Sequence, residues 1–143
     1  SEEEKRAIRE GKEFYEKVKG IEEIKKVVSP DSRVNMKMLH LDGESLATGI
    51  ATAVVDASVE ECAAYAMVGL NSRETIRKEG ALNRIVKQVN DHSVYYITRR
   101  DIGFFLKPRE GRNKATWMKK GDGKVVIDFS DTNDIMEEYP VKD

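Results

Sequence analysis

Between Asp56 and Ser130 the apolar period changes once, from helical to extended, and does not change back. Ser58 and Glu61 form a capping box at the head of Val59, Cys62, Ala63, Ala66, Met67 and Leu70, which recur on one helical face. Asn71-Ser72-Arg73-Glu74 offers a second cap, for a short helix through Lys78 that Gly80 ends. From Ala81 the pattern is extended: 81–89, 94–99, 112–119 and 124–130 are rich in β-branched or aromatic residues and separated by turn sequences, of which Asp122-Gly123 is the strongest hairpin signal. One helical interval followed by a run of antiparallel strands restricts the fold to α+β, with a curved antiparallel sheet packed on helices. Such a sheet leaves room for an apolar ligand, so the pattern suggests a container more than a catalyst.

Upstream, Ile8, Phe14, Tyr15, Val18, Ile21 and Ile24 fall at mostly three- and four-residue spacing among Glu and Lys, the pattern of an amphipathic helix. Gly11 weakens its middle, a break is expected near Gly20, and Ser29-Pro30-Asp31 stops helical structure. Val34, Met36, Met38 and His40 alternate with Asn35, Lys37, Leu39 and Leu41, predicting a strand whose first set forms a largely apolar face. Asp42 to Ser45 turns it into a second strand over 46–55, where Gly49 suggests a bulge or a close backbone approach. The expected organisation is a single domain over 1–143: a helical segment 1–28, a sheet-and-helix body 34–130, and an acidic tail or short helix over 131–143.

The charge balance narrows the partners. Lys and Arg number 25 against 26 Asp and Glu, a net charge of −1, which supplies no global field for nucleic acid. The single cysteine, Cys62, cannot form an internal disulfide, and with no Asn-x-Ser/Thr sequon the expected setting is the cytoplasm. No apolar run approaches the roughly 18 residues of a membrane helix, and no signal segment is recognised.

Pro108-Arg109-Glu110, then Trp117, Asp122-Gly123-Lys124-Val125-Val126-Ile127 and Ser130, resemble the Pro-Arg-Asp, strand, acidic-Gly turn, strand and serine of the START lipid-transfer family, part of the helix-grip superfamily. Val54-Val55-Asp56-Ala57-Ser58-Val59-Glu60-Glu61 is similar to that family's strand end and helix start, and Arg73 lies where the family often has an arginine. The resemblance implies a helix-grip fold and a lipid or other hydrophobic ligand held without catalysis. Glu110 stands where the family has Asp, and Lys114 and Ala115 stand where some sterol binders carry an inward arginine, so a sterol is not implied. The family continues past Ser130 with further strands and a long helix, so the expectation is a truncated or divergent member, or a grip completed by a protein partner or a dimer. Some helix-grip relatives are cyclases and hydrolases, which leaves catalysis with fold analogy alone.

In a helix-grip cavity the large apolar residues on the strands would line the ligand: Met36, Met38, Tyr96, Trp117, Ile127 and Phe129. The same six could equally fill a core, which would make the chain an interaction or scaffold module with its N-terminal helix as contact surface. His40 and His92 have no partner at ligand spacing, so no metal is expected, and no phosphate loop, nucleophile elbow or cofactor motif appears. Cys62 is expected to be a buried, inert thiol, and no catalytic residue or cofactor is assigned. Arg99, Arg100, Lys107, Arg109, Arg112 and Lys114 form a local basic cluster around a loop containing Phe104 and Phe105. There Phe104, Phe105, Lys107 and Arg109 could contact an anionic membrane, or the two phenylalanines could pack inward.

Overall fold

The structure is a computed structural model describing residues 1–22, 25–69, 72–78, 80–103 and 105–140. Ile24, Leu70, Asn71 and Phe104, to which the sequence assigned helix-face, cap or loop roles, lie outside the described residues. The elements run α1 (Glu2–Lys19), β1 (Lys25–Val27), β2 (Val34–His40), β3 (Ala47–Ala53), α2 (Val59–Met67), α3 (Arg73–Lys78), β4 (Ala81–Asn90), β5 (Ser93–Arg100), β6 (Arg109–Lys119) and β7 (Val125–Asp131). The architecture is α+β, with two antiparallel sheets and an N-terminal helix. Two compact units share the chain: residues 14–57, and residues 1–13 with 58–143.

The smaller unit holds β1-β2-β3 in that order. Gly43, at φ +82°, turns β2 into β3, the left-handed conformation that a residue without Cβ adopts at no steric cost. The β2–β3 register is unbroken from Val34↔Ala53 to His40↔Ala47, so the bulge expected at Gly49 does not form; Gly49 simply pairs with Met38. The buried residue of β2 is Leu39, while Met38, on the face expected to be apolar, is exposed. β1 was not foreseen, because Lys-Lys-Val is too short to display a period.

The larger unit is built on the sheet β4-β5-β6-β7, all neighbours antiparallel. Alternation sends Val94, Tyr96 and Thr98 to one face of β5, and Ser93, Tyr95 and Ile97 to the other; five of that strand's eight residues are buried. On the first face Val94, Tyr96 and Ala115 form a cluster against which Val86 and Met67 pack, and the Tyr96 hydroxyl donates to the Met67 carbonyl. This contact sets the C-terminal end of α2 on the sheet.

The first turns of α1 and the segment 132–140 cover the second face. Ile8 is 1% exposed, Glu3 pairs with Lys114 at 2.9 Å, and Ile135 is buried while the Tyr95 hydroxyl donates to Asp134 at 2.9 Å. Residues 132–140 are therefore a packed run of turns instead of a loose tail. A Cβ on Gly11 would stand 2.8 Å from Asp128 Oδ1, so the glycine lets α1 approach β7. Glu4 is the buried charge of this interface: it accepts from the Ser1 α-amino group (2.5 Å), Ser93 Oγ (2.6 Å) and Asn90 Nδ2 (2.7 Å). Those donors, in that order of effect, hold its carboxyl at about 2.

The capping box of α2 is present in full, with Glu61 N donating to Ser58 Oγ (3.1 Å) and Ser58 N to Glu61 Oε2 (2.8 Å). In a helix with no buried residue, the cap carries a large share of local order. Ser58→Ala should cost about 1 kcal/mol, read as a lower thermal midpoint, and Ser58→Asp should restore most of it. An unchanged midpoint in the alanine variant would mean α2 is held by Met67 alone. Cys62 is exposed, contrary to the expectation of a buried thiol, because α2 turns only Ala63, Ala66 and Met67 partly inward.

Candidate functional site

The first face of the four-stranded sheet carries a recess of about 470 Å³. Its apolar lining is Tyr96, Phe129 and Ile102, and its polar lining includes Arg84, Arg100 and Arg109. Register places these groups in rows across the strands: Arg100↔Arg109, then Arg84↔Thr98↔Gly111, then Tyr96↔Asn113, then Ala115↔Phe129. Arg84 Nε donates to Thr98 Oγ1 at 3.0 Å, and Asn113 Nδ2 donates to Asp131 Oδ1 at 2.8 Å. Gly111 leaves the centre of the recess without a side chain, and its backbone is not left-handed. Desolvation of the Tyr96 phenol raises its pKa, so it stays a neutral donor to Met67 across the physiological range.

Tyr96 and Phe129 are the two expected ligand contacts that meet at this recess. Trp117 and Ile127 are cross-strand partners on the same face, but the indole Nε1–H donates to the Asp91 carbonyl at 2.9 Å and the ring packs on His92 with centroids 4.8 Å apart. Trp117 thus ties β6 to the β4–β5 turn. Met36 and Met38 lie on β2 in the smaller unit, where Met36 borders a separate shallow recess. Arg84 and Arg100 were missed as site residues by sequence reasoning, although the alternation Arg84-x-Val86 and Tyr96-x-Thr98-x-Arg100 could have placed them on the face of Tyr96, and Arg109, expected at a membrane surface, lines the recess as well.

The basic cluster read from the sequence divides between the two faces. β6 begins at Arg109, three residues earlier than expected, so strict alternation sends Arg109 to the recess while Arg112 and Lys114 point to the opposite face. There Arg112, 8% exposed, grips Glu110 Oε1 through Nε (2.8 Å) and Nη2 (2.6 Å), and its Nη1 has no acceptor among the described residues. Lys114 is taken up by Glu3.

Between β5 and β6, Asp101 caps the loop by accepting from Gly103 N at 2.9 Å. Gly103 (φ +72°) and Phe105 (φ +62°) both adopt the left-handed region, which is costly for a residue with a bulky side chain. Phe105 is fully exposed and Leu106 63% exposed, so the alternative of inward packing does not hold for Phe105. Lys107 and Arg109 follow, both exposed. Among the described residues, no group of three or more His, Cys, Asp or Glu is placed to hold a metal ion and no helix is long and apolar enough to cross a membrane.

Two solved structures share this architecture. A STAR-related lipid transfer protein fragment from Xanthomonas axonopodis superposes with a TM-score of 0.66 at 12% identity, covering 83% of this chain and 64% of that one. Human StAR-related lipid transfer protein 5 superposes with a TM-score of 0.70 at 11% identity, covering 99% of this chain and 67% of that one. The chain spans about two thirds of the length of each. At these identities the likeness establishes the fold alone, which is START-like. No family model and no curated protein matches the chain.

Proposed function

We propose that the protein binds a lipid or other hydrophobic ligand in the recess above β4–β7 and does no chemistry on it. The observation that carries this reading is the recess itself: about 470 Å³ against the sheet, with Tyr96 and Phe129 in its lining. That volume falls within the roughly 300–1,000 Å³ of small-molecule sites. The START-like fold adds support, since both structures that share it are named lipid transfer proteins. Burial of the ligand's apolar surface supplies the affinity, and the few polar groups orient it. Incubation with mixed lipids followed by native mass spectrometry should show retained adducts, and a bare protein mass across all lipid classes would defeat the reading.

The β5–β6 loop is the part of this reading that meets a membrane. An exposed Phe105 held in a strained conformation, with Leu106 beside it and Lys107 and Arg109 following, has the composition of a shallow interfacial insertion on anionic headgroups. The setting that goes with it is cytoplasmic, where the exposed Cys62 thiol stays reduced. Phe105→Asp with Leu106→Asp should reduce co-sedimentation with phosphatidylserine vesicles by about fivefold or more, without loss of folding because both side chains are already in solvent. Equal sedimentation of the two proteins would remove the loop from the proposal.

A further inference from the structure

We infer that the second face of the four-stranded sheet carries another ligand site, a recess that takes a small organic monocarboxylate beside Arg99 and Arg112. The inference does not depend on the lipid reading, because this recess is bordered by the segment 132–140 and shares neither Tyr96 nor Phe129 with the first. Its volume is about 380 Å³. Two rows across the strands make its floor, Asn83↔Arg99↔Glu110 and Ile85↔Ile97↔Arg112. Glu138, Tyr139 and Pro140 complete the lining.

Arg112 is the residue that calls for an anion. Its guanidinium turns back along β6 and gives both Nε and Nη2 to one oxygen, Glu110 Oε1, which leaves Nη1 buried and without an acceptor among the described residues. A buried N–H that has lost water and gained no partner is costly, more so on a charged group. Arg99 stands across the strands from Glu110 on the same face, half-buried, and has no carboxylate at ion-pair distance among the described residues. Glu110 therefore answers one of two guanidinium groups. The other lining carboxylate, Glu138, is taken by Lys87, whose ammonium also stands 6.0 Å from the centre of the Tyr139 ring. One positive charge is left in excess.

A neighbouring recess shares Arg99, Glu110 and Arg112 but adds the carboxylates of Asp131 and Asp134, which accept from the neutral side chains of Asn113 and Tyr95 and so keep their charge. An anion is repelled there and accepted beside Tyr139. A single excess charge selects a monoanion, since a phosphate dianion would bring its second charge against Glu110 and Glu138. Carboxylate is also the planar partner of the guanidinium fork. Ile85, Ile97 and Tyr139 offer apolar surface to the body of the acid, and a volume near the lower end of small-molecule sites limits that body to a single ring or a short branched chain.

Phenylacetate and its neutral isostere phenylacetamide test the inference, titrated into the isotope-labelled full chain and followed by NMR. The acid should shift the amides of Ile97, Arg112 and Tyr139 and the Arg112 Nε–H, and should bind at least about tenfold more tightly than the amide. Arg99→Gln removes a side chain that holds no other part of the fold together, and should weaken the acid by about fivefold or more while leaving the amide unchanged. Should that variant misfold, the wild-type protein decides: raising salt should weaken the acid and not the amide. Equal affinity for acid and amide overturns the inference, as do shifts at Tyr96 and Phe129 in place of those named, or tighter binding of phenyl phosphate. So does the absence of any shift at about 10 mM, well above the ~1 mM of a weak site. Each of those results leaves the lipid proposal standing.

Discussion

Gly111→Trp is expected to abolish ligand retention while leaving the sheet folded. The glycine sits in β6 opposite Thr98, on the face that lines the recess, and a Cβ there would meet no atom closer than Asn113 Oδ1 at 3.9 Å. Its backbone is extended enough for any residue. The added indole would occupy the centre of the recess, between the Arg100–Arg109 row and Phe129. Displacing about four methylenes at ~0.8 kcal/mol each costs about 3 kcal/mol, an affinity loss of roughly two orders of magnitude. Native mass spectrometry should then record the bare mass where the wild type carries adducts, at a thermal midpoint changed by a few degrees at most. Adducts retained in the variant would place the ligand elsewhere on the molecule.

The largest stability effect is expected at Glu4. Its carboxyl is buried between α1 and the sheet and held at about 2, from an ordinary value of 4.5, by donors from Ser1, Ser93 and Asn90. Because the folded value is depressed, the stabilisation is present in full above pH 4.5 and is lost as the pH falls through 2. A depression of that size corresponds to about 3 kcal/mol at neutral pH. Glu4→Gln keeps the shape and removes the charge, so it should lower the urea midpoint sharply at pH 7 and progressively less towards pH 2, where the wild-type residue is itself neutral. If the two proteins keep the same separation at every pH, the donors around Glu4 are not reading its charge.

Local signals in the sequence sufficed for some elements and failed for others for identifiable reasons. The capping box at Ser58, the turn at Asp122-Gly123 and the end of α1 before Gly20 depend on neighbours within four residues, and each stands where the pattern placed it. The start of β6 at Arg109 depends on pairing with Arg99 and Arg100 across the sheet, which no local propensity encodes; a Pro-Arg-Glu-Gly run reads as turn until a partner strand is present. Leu39 and Met38 exchange the burial expected of them because alternation defines two faces but not which one the rest of the chain will cover. Cys62 is exposed for a similar reason, since a helix of nine residues has more apolar positions than the contact at Met67 needs.

The same limit governs the recess. Tyr96 and Phe129 stood out in the sequence as bulky apolar residues on strands, while Arg84 carried no signal, and Arg100 and Arg109 belonged to a basic cluster read as facing a membrane until the register placed all three on one face. Trp117, the most conspicuous aromatic residue in the strands, is occupied by the Asp91 carbonyl and the His92 ring.

Strand β5 has adjacent tyrosines with opposite duties: Tyr96 secures Met67 on one side and Tyr95 secures Asp134 on the other. Inserting or deleting one residue ahead of this pair would exchange their sides, swapping every neighbour of the strand while leaving its composition almost untouched. Evolutionary or engineered length changes are therefore confined to the connections around the strand, and drift within it is restricted to exchanges that preserve parity.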